Sequence, residues 1–254
     1  MKNMKFCVTN IVAVIAVAGV FLCAGCNDGG VESGGGDAVA YLKWIHGKSI
    51  SSGYGGEFTD SRNGKTYNLV TIDGEYGSQT WMAENLNYAP KDGNSKCYNN
   101  DESYCNEYGR LYDWETALTV CPDGWRLPFN SGTIYGDDFF VLQANLDAGG
   151  DGDGNVAGYK LKAKYGWERE NGSNKDGNGT DDVGFKALPG GHLNVNGDGF
   201  EGVKYSGYWW VRSNYQQYLT MYLRGDSKEL ITGASMANDG GNHEMNSVRC
   251  LLDD

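Results

Sequence analysis

The hydrophobic pattern divides the chain into three parts. Met1–Lys5 is basic, and Phe6–Ala24 is an uncharged, mostly apolar run. Asn27–Asp60 shows no clear periodicity beyond the fragment Ala38–Ile45, which favours a helical turn or two. After Asp60, short apolar segments alternate with polar, glycine-rich ones. The pattern therefore predicts a leader, a spacer and a folded domain built from many short elements.

The first part of the domain predicts two extended segments and then two helices. Gly64–Ile72 alternates polar residues with β-branched or aromatic ones, which indicates a strand, and Gln79–Asn87 is a second extended segment. Apolar residues recur at helical spacing within Gly109–Val120. They do so again in Asp137–Leu146, which also has acidic residues in its first turn.

After Gly149 the chain is rich in glycine and carries five apolar islands. They are Tyr159–Leu161, Val183–Leu188, Tyr205–Val211, Leu219–Leu223 and Ser247–Leu251. Islands of this length, separated by turn residues, are typical of short strands joined by long loops. Two helices followed by such strands predict an α+β domain in which the first and last strands pair.

The composition indicates a globular domain with many loops. Glycine accounts for 39 of the 254 residues and proline for only 4. Glycine tolerates the tight bends and positive φ angles of turns. The 17 Tyr and 7 Trp supply the apolar area that a disordered chain lacks.

The net charge of −12 bears on the possible partners. Most non-specific affinity for nucleic acid comes from cationic side chains that neutralise phosphates. We therefore expect no nucleic-acid partner. The acidity suits a secreted protein, and it leaves carboxylates available for cations.

The apolar run ends in Leu22-Cys23-Ala24-Gly25-Cys26, which is the layout of a secretory signal with a cleavage site between small residues. Because the cysteine directly follows Ala-Gly, the segment resembles a lipoprotein signal. The Cys26 thiol then takes a diacylglycerol and becomes the new N-terminus. Cys23 departs from that pattern, in which leucine or a similar residue is usual. A plain cleaved signal and an uncleaved anchor are the alternatives, since about 20 apolar residues suffice to cross a bilayer.

This interpretation predicts the organisation and location of the protein. Residues 1–25 form the signal, 26–57 a flexible spacer with the lipidated Cys26, and 58–254 the domain. Asn27 follows the cysteine where aspartate would signal retention in the inner membrane. We therefore expect an outer-membrane lipoprotein whose domain lies outside the cytoplasm.

Four cysteines remain beyond Cys26, namely Cys97, Cys105, Cys121 and Cys250. An even number in an oxidising compartment predicts two disulfides, for which three pairings are possible. A local bridge across the polar segment Tyr98–Tyr104 is the economical choice, and it leaves Cys121 with Cys250. The spacings contain no C-x-x-C pair and the three histidines are scattered, which argues against a zinc site.

Six ordered segments carry a resemblance to a known family. They are Asp60–Tyr67, Gln79–Tyr88, Tyr108–Trp114, Cys121–Pro128, Gly184–Gly191 and Ser247–Cys250. Across roughly Phe58 to Leu252 the chain resembles the Fibrobacter succinogenes major paralogous domain family. That family resembles the C-type-lectin-like fold, which formylglycine-generating enzymes also use. The resemblance implies two helices against a small twisted antiparallel sheet, paired terminal strands and long glycine-rich loops. A Cys121–Cys250 bridge fits it.

The resemblance does not imply an activity, because one fold serves many functions. Formylglycine-generating enzymes oxidise a substrate cysteine with paired thiols of their own, whereas every cysteine of this domain has a predicted bridge. The chain has no G-x-S-x-G segment, and His46, His192 and His243 lie in unrelated contexts. We therefore expect a non-catalytic domain.

Two acidic loops are candidate calcium sites. The first places Asp151, Asp153 and Asn155 at alternate positions. The second brings together Asp176, Asn178, Asp181 and Asp182. Hard cations take several oxygen ligands from flexible loops, although neither loop matches an EF-hand. Ordinary Asx turns are the alternative.

An aromatic segment is the candidate ligand site, comprising Tyr208, Trp209, Trp210, Arg212, Asn214 and Tyr215. Aromatic faces stack on sugar rings, while Arg and Asn hydrogen-bond hydroxyls. Neighbouring residues of a strand point to opposite faces, so at least one of the two tryptophans is expected in the core. The EPN or QPD and WND triplets of sugar-binding C-type lectins are absent.

Together these features lead to one main hypothesis and two alternatives. The main hypothesis is a surface-displayed binding module for extracellular polysaccharide or another envelope component. A structural scaffold that contacts other envelope proteins is the second, and an enzyme with dispersed carboxylates is the third.

Overall fold

The computed structural model describes residues 51–131, 137–147, 155–169, 176–194, 196, 199–214, 218–234 and 243–253. The predicted leader, the lipidation site Cys26 and the spacer up to residue 50 lie outside these residues. So do the predicted ligands Asp151, Asp153 and Tyr215. In the described ranges, no helix is both long and apolar enough to cross a membrane.

The first sheet has five strands, which pair antiparallel throughout. They are β1 (Ser51–Asp60), β2 (Lys65–Gly74), β3 (Gly77–Met82), β6 (Trp125–Arg126) and β14 (Leu251–Leu252). Their spatial order is β1-β2-β3-β14-β6. Strand β1 begins at Ser51, inside the segment predicted as a spacer, so the folded region starts earlier than Phe58.

The second sheet has nine strands, and the longest of them lies at its centre. They are β4 (Ser95–Lys96), β5 (Leu111–Tyr112), β7 (Phe129–Asn130), β8 (Gly190–Leu193), β9 (Phe200–Val203), β10 (Ser206–Ser213), β11 (Leu219–Arg224), β12 (Ile231–Ala234) and β13 (Asn246–Ser247). The main path is β12-β11-β10-β13-β5-β4. Strands β7 and β8 also pair with β10, and β9 pairs with β8.

The helices are short. They are α1 (Glu102–Tyr108), α2 (Trp114–Ala117), α3 (Asp138–Asp147) and α4 (Ala157–Leu161), with a 3-10 turn at Tyr98–Asn100. Asp101 and Asp113 cap α1 and α2, since their side chains accept hydrogen bonds from backbone N–H groups of the first turn. These capping residues mark where α1 and α2 begin, which the pattern of apolar residues alone does not show.

The predicted α+β, C-type-lectin-like fold is wrong, because the described structure is mostly β, with two curled sheets. The prediction of a helix over Asp137–Leu146 is confirmed by α3. The helix predicted over Gly109–Val120 is replaced by β5 and the four-residue α2. Gly109 has a φ of 80°, which interrupts helical backbone there.

Two further predictions about the strands are wrong. The island Tyr159–Leu161 lies in α4 and forms no strand. The last strand, β14, pairs with β3 and β6, whereas β1 pairs with β2. The first and last strands of the described structure are therefore not paired with each other, although β14 still lies between β3 and β6 of the first sheet.

The largest apolar cluster brings both sheets together with α3 and α4. It includes Ile72 and Trp81 from the first sheet and Trp209 and Met221 from the second. A second cluster holds Tyr112, Trp114 and Trp210. Because neighbouring residues Trp209 and Trp210 enter different clusters, strand β10 is buried on both faces.

Both predicted disulfides are present, joining Cys97 to Cys105 and Cys121 to Cys250. They span 8 and 129 residues of sequence. Chain-entropy estimates give about 2.5 kcal/mol for the short loop and about 5 kcal/mol for the long one. The long bridge fixes the segment before β14 against the segment before β6.

Lys162 is a buried cation held by backbone oxygens. Its side chain is only 2% exposed, and Nζ donates to the carbonyl oxygens of Gly177, Arg224 and Ser227 at 2.9, 3.0 and 2.9 Å. Three donors on the ammonium group match three acceptors. Burial lowers the pKa of Lys162 to about 8.

We expect Lys162→Met to lower the free energy of unfolding by about 2–4 kcal/mol, because three buried carbonyls lose their donor. Urea denaturation followed by tryptophan fluorescence measures the change. Lys164→Met is the matched control, since Lys164 is exposed and should be nearly neutral. Equal stability of the two variants would contradict the assigned role of Lys162.

The same residue predicts a pH dependence. Its pKa falls from 10.5 in the unfolded chain to about 8 in the folded protein, so the unfolded state binds more protons between these values. The free energy of unfolding of the wild type should therefore rise with pH across this window relative to Lys162→Met. Denaturation of both proteins at a series of pH values tests this. A constant difference between them would count against the shifted pKa.

Candidate functional site

Five of the six family-like segments meet at one cleft of about 420 Å³, which we call the motif cleft. Its polar lining includes Lys65, Glu84, Asn87, Glu107, Lys186 and Arg249, and Tyr165 stands at its rim. The segments that contribute are far apart in sequence. Only the tertiary structure brings them together. The motif cleft is therefore the strongest candidate for a binding site to which these segments contribute jointly.

The floor of the motif cleft is the side chain of Arg249, which is 1% exposed. Its Nε and Nη2 donate to Asn85 Oδ1 at 3.0 and 2.7 Å. Its Nη1 donates to the backbone oxygens of Ala83, at 3.0 Å, and of Phe185. Trp209 Nε1 also donates to Asn85 Oδ1, at 2.7 Å. One amide oxygen therefore accepts three hydrogen bonds.

Arg249 carries its charge without a carboxylate at ion-pair distance in the described part of the chain. Burial lowers the pKa of Arg249 to about 10, and the charges of Glu84 and Asp181 oppose the shift. The guanidinium thus remains charged at neutral pH. The floor of the cleft is therefore positively charged, although the net charge of the protein is −12.

The acidic side of the cleft is fixed in position. Glu84 Oε2 accepts from the backbone N–H of Asn68 at 2.9 Å, and Oε1 accepts from Asn68 Nδ2 at 2.8 Å. Both oxygens keep further lone pairs for a ligand. Glu84 is thereby oriented as a hydrogen-bond acceptor.

Other residues of the lining supply donors and an aromatic ring. Lys186 has a φ of 49°, and its backbone N–H donates to Asp181 Oδ1 at 2.8 Å, so a strained turn positions its exposed side chain. Tyr165 is 58% exposed. Partial burial lowers the pKa of Lys65, and the charge of Arg110 lowers it further. An exposed ring beside fixed acceptors and cationic donors suits a hydroxyl-rich ligand.

The structure excludes Trp209 and Trp210 as a stacking platform, and their prediction as ligand residues is wrong. They are 1% and 0% exposed. Trp210 Nε1 donates to the backbone oxygen of Tyr112 at 2.6 Å. Both indoles therefore belong to the core and its hydrogen bonds.

The other predicted ligand residues are dispersed. Tyr208 is half-buried beside His192 and Tyr222. Arg212 is exposed, with its guanidinium 5.2 Å from the centre of the Phe129 ring. Asn214 is exposed as well. Because the buried Trp210 separates Tyr208 from Arg212 on the same face of β10, they do not form a continuous surface.

The residues of the second acidic loop make local turns. Asp176 Oδ1 accepts from the Asn178 backbone N–H at 2.8 Å, and Asp181 Oδ1 accepts from that of Lys186. Asn178 Oδ1 accepts from the Trp167 backbone N–H at 2.9 Å. These contacts favour the Asx-turn alternative for this loop.

The other described residues predicted as calcium ligands, Asn155 and Asp182, also make contacts within the protein. Asn155 exchanges hydrogen bonds with the backbone of Leu230. Asp182 is exposed and engaged in an interaction of its own. Within the described ranges, the group of potential metal ligands that converges is Cys97, Glu102 and Cys105, whose two sulfurs form a disulfide. Among the described residues, the acidic side chains of the second loop do not converge as a group of metal ligands, whereas Asp151 and Asp153 of the first loop lie outside the described ranges.

Sequence reasoning named the segments that line the motif cleft and did not identify the cleft. Tyr165 lies in none of the six segments. The available signal was that the charged residues Glu84 and Lys186 each follow apolar residues within a family-like segment. Their convergence depends on the pairing of distant strands.

A family model for the Fibrobacter succinogenes major domain matches residues 75–251. The chain belongs to this family. The resemblance found in the sequence is thereby confirmed as to family. No curated protein and no solved structure matches the chain significantly. The match begins in the turn between β2 and β3. Strands β1 and β2 of this Fibrobacter succinogenes major domain protein therefore lie before the matched residues.

We expect Asn85→Ala to lower the free energy of unfolding by about 3–5 kcal/mol, because a buried guanidinium and an indole lose their common acceptor. Urea denaturation measures the change. Asn106→Ala, an exposed substitution in the same cleft lining, is the control and should stay within about 0.5 kcal/mol of wild type. Similar stabilities of the two variants would refute the role given to Asn85.

Proposed function

We propose that this protein is an exported, lipid-anchored cell-surface protein whose domain is a non-catalytic binding module for extracellular polysaccharide, with the ligand in the motif cleft. Cys26 carries the lipid, and the domain lies outside the cytoplasm at the outer membrane. Two disulfides in a chain with a secretory leader support export, because such bonds persist in oxidising compartments.

The observation that carries the proposal is the composition of the motif cleft. Tyr165 offers an exposed ring at the rim, Glu84 offers two oriented acceptor oxygens, and Lys186 offers a flexible donor. Carbohydrate recognition needs this combination of a flat apolar face and convergent polar groups. A volume of about 420 Å³ is in the range of small-ligand sites.

A binding role agrees better with these residues than catalysis does. Both oxygens of Glu84 accept hydrogen bonds from Asn68, which holds the carboxylate in place as an acceptor with lone pairs left for a ligand. Cys105, the cysteine of the cleft lining, is joined to Cys97 and offers no free thiol. Nucleophilic catalysis requires a side chain whose pKa is lowered or that a neighbouring base activates. Tyr108 lies beside Glu107 in the lining, but burial raises the pKa of its phenol, which disfavours a nucleophilic role.

We expect Tyr165→Ala, Lys186→Ala and Glu84→Gln to weaken retention of the protein on insoluble cellulose or xylan. The loss for Tyr165→Ala should be about fivefold, the effect of one aromatic stacking contact. Retention is measured by pull-down of the oxidised full-length chain in detergent. Tyr54→Ala is the control, since Tyr54 is 69% exposed on β1 and lies outside the cleft.

Three outcomes of this experiment are informative. Retention that survives EDTA and falls in the cleft variants supports the proposal, because the cleft residues need no metal. Retention that disappears in EDTA contradicts binding by the cleft alone. Absence of retention on both polysaccharides, with capture of envelope proteins from extract, would replace the proposal with the scaffold alternative.

The lipid anchor has a separate test. We expect the wild type to be labelled with palmitate and to sediment with the outer membrane, whereas Cys26→Ser should be unlabelled and soluble. Removal of the thiol removes the site of acylation. Persistent sedimentation of the variant would indicate an uncleaved anchor instead. A soluble wild type would indicate a plain cleaved signal.

A further inference from the structure

A second polar and aromatic surface crosses the nine-stranded sheet, and it shares no residue with the lining of the motif cleft. On one face, Glu201 of β9 pairs with His192 of β8, which lies beside Tyr208 of β10. Tyr208 pairs in turn with Tyr222 of β11. We call these four residues the aromatic row. They come from four adjacent strands, so backbone pairing fixes their order.

The rings of the row are in contact. The centres of the His192 and Tyr208 rings are 4.5 Å apart, and those of Tyr208 and Tyr222 are 5.5 Å apart with an interplanar angle of 25°. All three side chains are partly exposed. The row therefore presents a continuous strip of π-electron density to solvent.

Two carboxylates border the rings. Glu201 is exposed, and its Oε1 accepts from Asn194 Nδ2 at 3.0 Å. Glu244 is 8% exposed, and its Oε1 accepts from Asn246 Nδ2 at 2.9 Å. Burial lowers the pKa of His192 even though both glutamates raise it, so the imidazole is neutral at neutral pH.

Two buried polar atoms of this region have no hydrogen-bond partner in the described structure, namely His192 Nδ1 and Asn246 Oδ1. The backbones of Leu193 and Met245 exchange hydrogen bonds, which places the preceding His192 opposite the following Asn246. The amide oxygen is an acceptor, and so is Nδ1 of a neutral imidazole protonated at Nε2. Buried polar atoms without a partner are rare in native proteins, and the Asn246 oxygen in particular calls for a donor because its Nδ2 already donates to Glu244.

We propose that the aromatic row binds a primary ammonium group. Aromatic rings and carboxylates both attract an organic cation, and the unpartnered Asn246 oxygen matches one of its N–H donors. The net charge of −12 draws cations to the protein. A divalent metal fits less well, because the described His and Glu ligand atoms here do not converge as a metal site.

This chemistry has two possible sources, an amino sugar of an envelope polysaccharide and a lysine side chain of a basic protein. The ligands that distinguish them are glucosamine and an acetylated, amidated lysine. N-acetylglucosamine is the matched neutral control for the first, because acetylation removes the charge and keeps the sugar ring.

The experiment is an NMR titration of the oxidised full-length chain in detergent, following the side-chain signals of His192, Tyr208 and Tyr222. We expect glucosamine or the lysine derivative to shift these signals and N-acetylglucosamine to leave them unchanged. Glu201→Gln should weaken binding about fivefold. Glu57→Gln, an exposed substitution on β1, should bind like wild type.

Binding by glucosamine alone identifies an amino sugar, and binding by the lysine derivative alone identifies a basic protein. Both outcomes support the ammonium site. Equal shifts with N-acetylglucosamine, or unchanged affinity in Glu201→Gln, would overturn it. Tyr165→Ala in the motif cleft should leave this titration unaltered. A failure of the proposed ammonium site can therefore be distinguished from a failure of the proposed polysaccharide site.

Discussion

The three hydrogen bonds to Asn85 Oδ1 are the interaction on which the rest of the domain depends. Asn85 follows β3 of the first sheet, Trp209 lies in β10 of the second, and Arg249 precedes β14. One amide group thus ties the two sheets and the end of the chain together. A buried network of this kind stabilises only when every member is satisfied, and the loss of one member exposes a desolvated charge. The same arrangement forms the floor of the motif cleft, so the stability of the fold and the shape of the candidate site share their residues.

Other buried polar groups follow the same principle. Lys162 donates three hydrogen bonds to backbone carbonyls, and it thereby joins the loop at Gly177 to the end of β11 at Arg224 and to the segment at Ser227. The Cys121–Cys250 bridge closes the longest loop near the Asn85 network. A domain with short helices and several two-residue strands has few local hydrogen bonds to rely on. Its long loops are therefore held by specific polar and covalent links as well as by the apolar core.

The two candidate surfaces differ in chemistry. The motif cleft combines Tyr165 with the fixed Glu84 and the cationic Lys186, which suits hydroxyl groups. The aromatic row combines three rings with Glu201 and Glu244, which suits a cation. If the two proposed ligands belong to one polymer, simultaneous contact with both surfaces would give an avidity that exceeds either affinity.

The sequence by itself determined the family, the number of disulfides, helix α3 and the strands β2, β10 and β11, because each of these has a signal in motif order, spacing, turn residues or cysteine count. It did not determine the architecture, since strands of two residues carry no periodicity and their pairing partners lie far away in the chain. Nor did it determine that Trp209 and Trp210 are both buried, because only the packing of both faces of β10 decides this. The motif cleft and the aromatic row likewise depend on the tertiary structure. Their residues come from segments that are adjacent only after the long-range strands have paired, and that pairing is a property of the whole chain.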